Sequence, residues 1–272
     1  MNKINFYPIK GGTGEKDQAK RKIWQLLGLA TPIKPATEFM PEWWQNLPKF
    51  HKLPKYEAPF PTAKRCPSIF DSMQAGYIMP MWSDLILRWD GNPDHGFDYV
   101  LSEAMSDLSE TAIETHHPGQ IKDAPFLKDG CKFMIKLNSP WFVDVPKGIS
   151  LFYTSPFYHI DNDFTVIPGI LDADIDMLSN KEIKVFLKLN NPGVVKIKRG
   201  DPLLQIIPFK RENYEFDNGL PTDQKLLEFD IMDIQRRSII PDNPNVEEHV
   251  LRNKTSKNMK PLMENRVPKK YA

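Results

Sequence analysis

The stretch from Val145 to Asp174 reads VPKGISLFYTSPFYHIDNDFTVIPGILDAD, and residues 182–209 read EIKVFLKLNNPGVVKIKRGDPLLQIIPF. Apolar and β-branched residues form five short runs in this part of the chain, and turns rich in proline, glycine, asparagine and aspartate separate them. The runs cover 149–153, 164–167, 183–189, 194–197 and 203–209. Short strands at intervals of about ten residues are typical of a sandwich or a barrel. The sequence therefore predicts a mainly β fold.

Further strand patterns precede this stretch. Residues 77–81 and 85–89 are short apolar runs that predict strands. Residues 131–137 have the period of two that is typical of a half-buried strand, and an aromatic segment follows at 141–143. Residues 99–113 carry apolar residues on one side, which predicts a short helix or a loop.

The first 65 residues predict an N-terminal arm. Residues 16–27 have helical spacing, but seven prolines follow between residues 32 and 61, and proline interrupts both helices and central strands. Within this arm Trp43 and Trp44 concentrate aromatic area in a proline-flanked setting. Two interpretations of this pair remain open: an anchor that binds a partner, or packing of the arm onto its own domain.

The chain after residue 212 predicts a charged C-terminal extension. A helix is expected near residues 231–237, and the last 20 residues contain five lysines with almost no core-forming side chains. We expect this tail to be mobile or to be ordered by a partner. The predicted organisation is thus an arm at 1–65, a core at 66–212 and an extension at 213–272.

Composition restricts the class of protein. The chain has 272 residues, with 36 Lys and Arg against 35 Asp and Glu and a formal net charge of +1. Proteins that bind nucleic acid through its phosphates normally have a basic surplus, so no sequence-specific nucleic-acid partner is expected. The 25 prolines argue against a helical bundle.

The sequence predicts a protein that is neither secreted nor inserted in a membrane. Its two cysteines, Cys66 and Cys131, are too few for a disulfide framework and lack the spacing of a zinc or redox site. The first ten residues contain no apolar core of a signal peptide. No apolar run approaches the roughly 20 residues of a membrane span.

Four elements between about residues 140 and 210 resemble the dUTPase and dCTP deaminase superfamily. Residues 145–156 resemble its Pro-x-Gly strand and phosphate-binding turn, and residues 166–174 resemble its Gly-x-Ile-Asp-x-Asp-Tyr segment. Residues 182–187 resemble the next strand, and residues 199–207 resemble its Gly-Asp-x-Ile-Ala-Gln turn and strand. The resemblance implies a β-clip core, with the proline-rich arm and short helices at its periphery. It also implies a homo-oligomer, because dUTPases form trimers with active sites at the subunit seams.

The same resemblance implies a set of site residues. Asp172 matches the carboxylate that activates water as a general base, which must lie within about 3 Å of that water. Ser155, Asp174 and Gln205 match positions that contact the nucleotide. Mg²⁺ is expected only if a nucleotide binds, and otherwise no cofactor is expected.

The chain departs from the family pattern where the phosphates are held. Thr154 replaces the arginine that precedes the phosphate-binding serine, and Ile175 replaces the tyrosine that stacks on the sugar. After Gly200 the only glycine is Gly219, so the glycine-rich, arginine-containing lid is absent from the sequence. Without these donors, a triphosphate would face the aspartates with little compensation.

Other interpretations of the acidic and histidine residues remain open. Asp172 and Asp174 could cap a turn between strands, and together with Asp176 they could bind a divalent ion. His116 and His117 form the only histidine cluster, but adjacent strand residues point to opposite faces. We therefore expect no metal site.

The whole chain also resembles an uncharacterised family found in tailed bacteriophages and some bacteria. The residues that carry this resemblance are Trp43–Trp44, Cys66–Pro67, Ala75–Ile78, Pro140–Trp141 and Gly169–Asp174. It implies a place in the host cytoplasm or in a virion, with other structural proteins as partners. The first hypothesis is therefore a non-catalytic protein that acts by self-association and partner binding. The alternatives are a dUTPase-like pyrophosphatase that uses Asp172 and a module that sequesters nucleotides without turnover.

Overall fold

The computed structural model describes residues 3–9, 18–54, 59–92, 95–116, 118–121, 124–125, 133–159, 163–175 and 181–239. The chain divides into two compact units. Unit 1 comprises Met1–Leu47 and Phe70–Arg211, and unit 2 comprises Pro48–Ile69 and Glu212–Ala272. Four features noted in the sequence lie outside the described residues: His117, Cys131, Asp176 and the lysine-rich tail.

Six α-helices lie in the described residues. They are α1 (Gln18–Ala30), α2 (Glu42–Asn46), α3 (Pro67–Gln74), α4 (Ser109–Ala112), α5 (Pro118–Ile121) and α6 (Asp223–Ile239). Helix α1 confirms the predicted helical spacing and buries Trp24 and Leu27 on one face. It ends at Ala30, because Pro32 cannot continue the helix. Thr31 Oγ1 donates to the Leu27 carbonyl at 2.8 Å. In the described part of the chain, no helix has the length and apolar character needed to cross a membrane.

Fifteen strands lie in the described residues. In chain order they are β1 (Asn5–Tyr7), β2 (Lys34–Pro35), β3 (Phe50–His51), β4 (Phe60–Pro61), β5 (Tyr77–Pro80), β6 (Leu85–Trp89), β7 (Asp98–Leu101), β8 (Ile113–Thr115), β9 (Ile135–Asp144), β10 (Ile149–Thr154), β11 (Phe164–Val166), β12 (Gly169–Leu171), β13 (Glu182–Leu189), β14 (Gly193–Ile197) and β15 (Pro202–Lys210). The five strands predicted between residues 149 and 209 are all present.

The described residues of unit 1 form three antiparallel sheets. The first has the order β1-β9-β13-β11, with β8 also paired to β9. The second has the order β12-β10-β15-β5-β2, and the third has the order β14-β6-β7. The predicted mainly β architecture is therefore confirmed.

The core lies within unit 1, and strand β13 shows why the sequence forms it. Ile183, Val185, Leu187 and Leu189 alternate with polar or half-buried residues, and each of the four is fully buried. Such alternation turns one face of a strand towards the interior. Burying each of these side chains contributes roughly 1.5–3 kcal/mol to folding.

Strand β9 differs from the sequence prediction. The predicted strand at 131–137 and the aromatic segment at 141–143 are joined in one strand, which begins at Ile135 and passes through Pro140. The register between β9 and β13 shifts between Glu182 and Lys184, so Pro140 lies at an irregularity in the ladder. Proline is tolerated at such a bulge because the amide hydrogen that it lacks has no ladder partner there.

Residues 99–113 also differ from the single helix or loop that was expected. Strand β7 covers the first of them, a 3-10 segment follows at Glu103–Leu108, and α4 leads into β8. Met105 and Leu108 are buried, which accounts for the one-sided apolar pattern. The apolar pattern of residues 99–113 identified the buried side chains correctly. These residues form several short elements, however, and not one helix or loop.

The described part of unit 2 contains fewer regular elements than that of unit 1. Strands β3 and β4 form a two-stranded antiparallel sheet. The Thr62 hydroxyl donates to the Pro48 carbonyl at 2.5 Å, and the Arg65 guanidinium lies 4.8 Å from the centre of the Phe50 ring. Helix α6 contains the helix expected near 231–237 and begins earlier, at Asp223.

Candidate functional site

The second sheet of unit 1 brings three chain segments together at one end. Strands β12 and β15 both pair with β10, with Leu171 opposite Leu151 and Lys210 opposite Ile149. The residue after each flanking strand therefore lies near the start of β10. These residues are Asp172 and Arg211.

Ser150, Asp172, Asp174 and Arg211 form a cluster at this end of the sheet, which we call the aspartate clamp. The Ser150 hydroxyl donates to Asp172 Oδ1 at 2.5 Å, and Arg211 Nη1 lies 3.1 Å from the same oxygen. Arg211 Nη1 also donates to Ser150 Oγ at 3.1 Å. Arg211 Nη2 donates to Asp174 Oδ2. One guanidinium thus bridges two carboxylates.

Backbone groups complete the aspartate clamp. The Gly148 N–H donates to Asp174 Oδ2 at 2.8 Å, and the Arg211 N–H donates to the Gly148 carbonyl at 2.9 Å. Gly148 has φ +81°, a left-handed conformation that glycine adopts without steric cost. The turn before β10 is therefore shaped to present its amide to the carboxylate.

The two aspartates occupy different environments. They flank the fully buried Ala173 in a turn that the Ile175 N–H closes on the Asp172 carbonyl. The Asp174 side chain is 5% exposed, whereas that of Asp172 is 43% exposed. Asp174 Oδ1 is buried and has no hydrogen-bond partner among the described residues.

The electrostatics of the aspartate clamp favour its charged form. The Arg211 hydrogen bond, with the Gly148 amide, lowers the pKa of Asp174 to about 2. The Ser150 hydroxyl, and then Arg211, lower the pKa of Asp172 against the opposing effect of desolvation. The carboxylates in turn raise the pKa of Arg211, with Asp174 as the largest cause. All three groups therefore stay ionised at neutral pH.

A clamp of this kind is better suited to holding segments together than to moving protons. A general base works best when its pKa lies near the operating pH, and lowering the pKa weakens it as a base. Asp172 Oδ1 already accepts from Ser150 and faces Arg211. The arrangement fixes the turn at 172–175 to the start of β10 and the end of β15.

Ser155 and Gln205, predicted to contact a nucleotide, bind other parts of the chain. Ser155 Oγ accepts from the Val166 N–H at 3.2 Å. Gln205 is 1% exposed, and its Oε1 accepts from the Phe157 N–H at 2.8 Å. Its Nε2 donates to the carbonyls of Ser72 and Ala75 at 2.9 and 2.8 Å, at the end of α3. Of the four predicted site residues, the structure brings only the two aspartates together.

The tryptophan pair lies on unit 1 with one ring buried and one partly exposed. Trp44 is 4% exposed and stacks on Phe70, with ring centroids 6.0 Å apart and an interplanar angle of 17°. Trp43 is 38% exposed, and its Nε1 donates to the Tyr158 carbonyl at 2.9 Å. Part of the Trp43 ring therefore faces solvent.

The described residues contain no group of three histidine, cysteine or acidic side chains placed to hold a metal ion. Of the predicted alternatives, His116 Nδ1 is hydrogen bonded to Gln120 at 3.0 Å, while His117 and Asp176 lie outside the described residues. Within the aspartate clamp, Arg211 contacts one oxygen of each carboxylate.

Arg211 and Ser150 are the two residues of the aspartate clamp that the sequence analysis missed. The family pattern directs attention to an arginine before Ser155, and Thr154 stands there. The available signal was the position of Arg211 two residues after the last apolar run, at 203–209. That signal becomes informative only once the pairing of β15 with β10 is known.

Comparison with known proteins gives similarities to solved structures alone. No family model matches the chain, and no curated protein matches it. The dUTPase of EIAV is 13% identical with a TM-score of 0.29, over 54% of this chain and 87% of that one. A mutant dUTPase from phage phi11 of S. aureus, described with a structural Mg(II) ion, is 12% identical with a TM-score of 0.28, over 55% of this chain and 85% of that one.

Proposed function

We propose that this chain is a non-catalytic protein of dUTPase-like fold that acts by self-association and by binding protein partners, as a structural or accessory component of a phage. The observation that carries the proposal is the aspartate clamp. Arg211 forms ion pairs with both Asp172 and Asp174. The Asp172 carboxylate, which would have to act as the general base, is therefore already paired with a cation. The phage setting rests on the resemblance of the whole chain noted above.

The aspartate clamp supports a structural role for both carboxylates. The lowered pKa of Asp172 makes it a weak acceptor for a proton from water. Gln205 is fully engaged with Phe157, Ser72 and Ala75, so contact with a nucleotide would require three hydrogen bonds to break. The absence of the family's arginine, tyrosine and glycine-rich lid from the sequence agrees with this role.

Exposed apolar side chains support a role in association. Ile170 on the edge strand β12 is 64% exposed, and Val194 on β14 is 54% exposed. In unit 2, Tyr214, Phe216 and Leu220 are 80%, 87% and 97% exposed. Contiguous apolar patches mark interaction sites, whereas single exposed apolar side chains are ordinary. Tyr214, Phe216 and Leu220 fall within one segment of seven residues, 214–220. A homo-oligomer, with the trimer as the form implied by the fold, would cover some of them.

The proposal is tested by measuring assembly and nucleotide binding on the same purified protein. Sedimentation velocity should show an oligomer at micromolar concentration. Thermal unfolding with deoxynucleoside mono-, di- and triphosphates, with and without Mg²⁺, should show an unchanged Tm. A chain that remains monomeric, or that hydrolyses a deoxynucleotide, would contradict the proposal.

A second function, binding or hydrolysis of a deoxynucleotide, is favoured by one observation: the Asp172 side chain is 43% exposed, so a ligand can reach it. A ligand at 100 times its Kd stabilises the folded state by about 2.7 kcal/mol. For a chain of this size, that corresponds to a rise in Tm of roughly 5–10 °C. The variant Asp172→Asn then separates hydrolysis, which it abolishes, from sequestration, which it leaves in place. Asp107→Asn, at an exposed position away from the aspartate clamp, is the matched control.

A further inference from the structure

A cleft lies at one end of the third sheet of unit 1, where β6 ends and β7 and β14 begin. Its volume is about 500 Å³. Charged side chains of both signs line the cleft together with the aromatic residues Trp89 and Phe97. The cleft shares no residue with the aspartate clamp, so it is a separate candidate for a binding site.

The aromatic wall of the cleft is held in place by the rest of unit 1. Phe97 stacks on Phe133 with ring centroids 5.1 Å apart, and Trp89 meets the same ring edge to face at 6.2 Å. The Trp89 Nε1 also donates to the Asn92 carbonyl at 2.9 Å. Rings that are fixed in this way form a preformed apolar surface on which the side chain of a ligand can pack.

Arg88 and Asp98 are the two lining charges that have no partner within the described chain. They lie directly opposite each other on β6 and β7, and both are exposed. Among the described residues, neither side chain takes part in a hydrogen bond or an ion pair. A cation and an anion are therefore available side by side, on strands where opposed Cβ atoms lie about 5 Å apart.

The other two charged or titratable groups of the cleft contact each other. His95 Nδ1 lies 2.6 Å from Asp90 Oδ2, and Asp90 Oδ1 accepts from the Asn92 N–H at 2.8 Å. The His95 hydrogen bond, with the Asn92 amide, lowers the pKa of Asp90, so Asp90 remains a carboxylate. The two carboxylates of the cleft oppose a ligand that is only anionic, whereas Arg88 opposes one that is only cationic.

We propose that the cleft binds a free α-amino acid with an aromatic side chain. The carboxylate of the ligand pairs with Arg88, its ammonium group pairs with Asp98, and its ring packs against the aromatic wall. A zwitterion satisfies charges of both signs, and its two charged groups are attached to one carbon atom, so a single molecule reaches both strands. The volume of the cleft lies within the range of small-molecule sites, about 300–1,000 Å³. This inference goes beyond the proposed function and does not depend on it.

Isothermal titration of the full-length chain with a panel of related compounds tests the inference on the unmodified protein. L-Phenylalanine should bind. L-Phenylalaninamide, which lacks the carboxylate, and 3-phenylpropionate, which lacks the ammonium group, should each bind about tenfold more weakly or worse. L-Alanine keeps both charges but lacks the ring, and should also bind more weakly than L-phenylalanine.

Two variants assign each charge of the ligand to its partner. Arg88→Met should abolish the preference for L-phenylalanine over its amide, and Asp98→Asn should abolish the preference for L-phenylalanine over 3-phenylpropionate. The matched controls are Arg199→Met and Asp107→Asn, at exposed positions that do not line the cleft, and they should keep both preferences. Because all four replaced side chains are exposed, the variants should retain the circular dichroism spectrum of the wild type.

Three results would overturn the inference. The first is an absence of binding heat with L-phenylalanine at millimolar concentration. The second is equal affinity for L-phenylalanine and either the amide or 3-phenylpropionate, since a zwitterion would then not be required. The third is a pair of preferences that persists in both cleft variants. None of these results changes the oligomeric state, so the proposed function would stand, whereas a monomeric chain that binds L-phenylalanine would remove the proposed function alone.

Discussion

Arg211 lies against Asp174, with its Nη2 donating to Oδ2 of a carboxylate whose side chain is 5% exposed. The same guanidinium reaches Asp172, 3.1 Å away, so one cation balances two anions at the end of the second sheet. A carboxylate that is this enclosed depends on its partner, because a buried charge without a counter-ion is costly.

Replacing Arg211 with leucine should destabilise unit 1. The Arg211→Leu variant leaves Asp174 enclosed with the Gly148 N–H as its remaining donor in the aspartate clamp. We expect the Tm, followed by circular dichroism, to fall by several degrees. Arg199→Leu removes an exposed arginine from a turn outside the aspartate clamp and should leave the Tm nearly unchanged. Equal Tm values for the two variants would contradict a stabilising role for the clamp.

Stability should fall in acid through the aspartate clamp. The pKa of Asp174 is about 2 in the folded chain against an ordinary value of 3.8, so its stabilising effect is complete above about pH 4. The effect is lost as pH falls from about 4 towards 2, because the unfolded chain takes up the proton first. The free energy of unfolding in urea should therefore decline over this range. The decline should be shallower in Asp174→Asn, and an equal slope in both proteins would argue against the pKa assignment.

Gly148 should tolerate a side chain poorly for reasons of backbone conformation alone. Its φ is +81°, and a Cβ at this position would meet nothing within 4 Å. Gly148→Ala should therefore lower the free energy of unfolding by about 1–2 kcal/mol, the cost of the left-handed conformation. Gly169→Ala is a matched control, because Gly169 also has open space around it and its φ is outside the left-handed range. Urea unfolding of the control should give the wild-type value or a slightly higher one.

Gln205 should prove important for folding. Gln205→Ala leaves the Phe157 N–H and the carbonyls of Ser72 and Ala75 without their partner in a buried setting. We expect a loss of about 3 kcal/mol in the free energy of unfolding. Urea unfolding of the purified variant measures it. A variant as stable as the wild type would mean that Gln205 is retained for another purpose, and the nucleotide contact would then deserve a direct test.

Substitution of Trp44 should mainly lower stability, whereas substitution of Trp43 should mainly affect the binding of a partner. Trp44→Ala removes a buried ring that stacks on Phe70 and should cost about 3–5 kcal/mol in the free energy of unfolding. Trp43→Ala removes a partly exposed ring and one hydrogen bond to Tyr158, and should cost about 1 kcal/mol. If the arm binds a partner, Trp43→Ala should weaken that binding in a folded protein. Equal losses of stability in the two variants would contradict this separation.

The strands of the core could be predicted because each carries its own pattern. Strand β13 alternates over eight residues, and its period alone identifies the buried face. The bounds of strand β9 could not be predicted in the same way, because Pro140 normally indicates the end of a strand. Strand β9 continues through Pro140 because its pairing with β13 is irregular there. That bulge depends on how two strands pair, which no local window contains.

Two of the four residues of the aspartate clamp were identified from the sequence. Asp172 and Asp174 stood out through the resemblance, whereas Arg211 and Ser150 did not. Their contacts depend on the register in which β12 and β15 flank β10. Before that register is known, nothing distinguishes Ser150 and Arg211 from other serines and arginines at the ends of strands. Side chains that act through distant partners are therefore the part that sequence reasoning misses.

The aspartate clamp also bears on folding kinetics. Arg211 is 37 residues from Asp174 and 61 from Ser150 along the chain, so these contacts require long loops to close first. Contacts that form late are absent from the transition state, and their loss accelerates unfolding while leaving refolding almost unchanged. We therefore expect loss of the aspartate clamp, as in Arg211→Leu, to shorten the lifetime of the native state more than it slows folding.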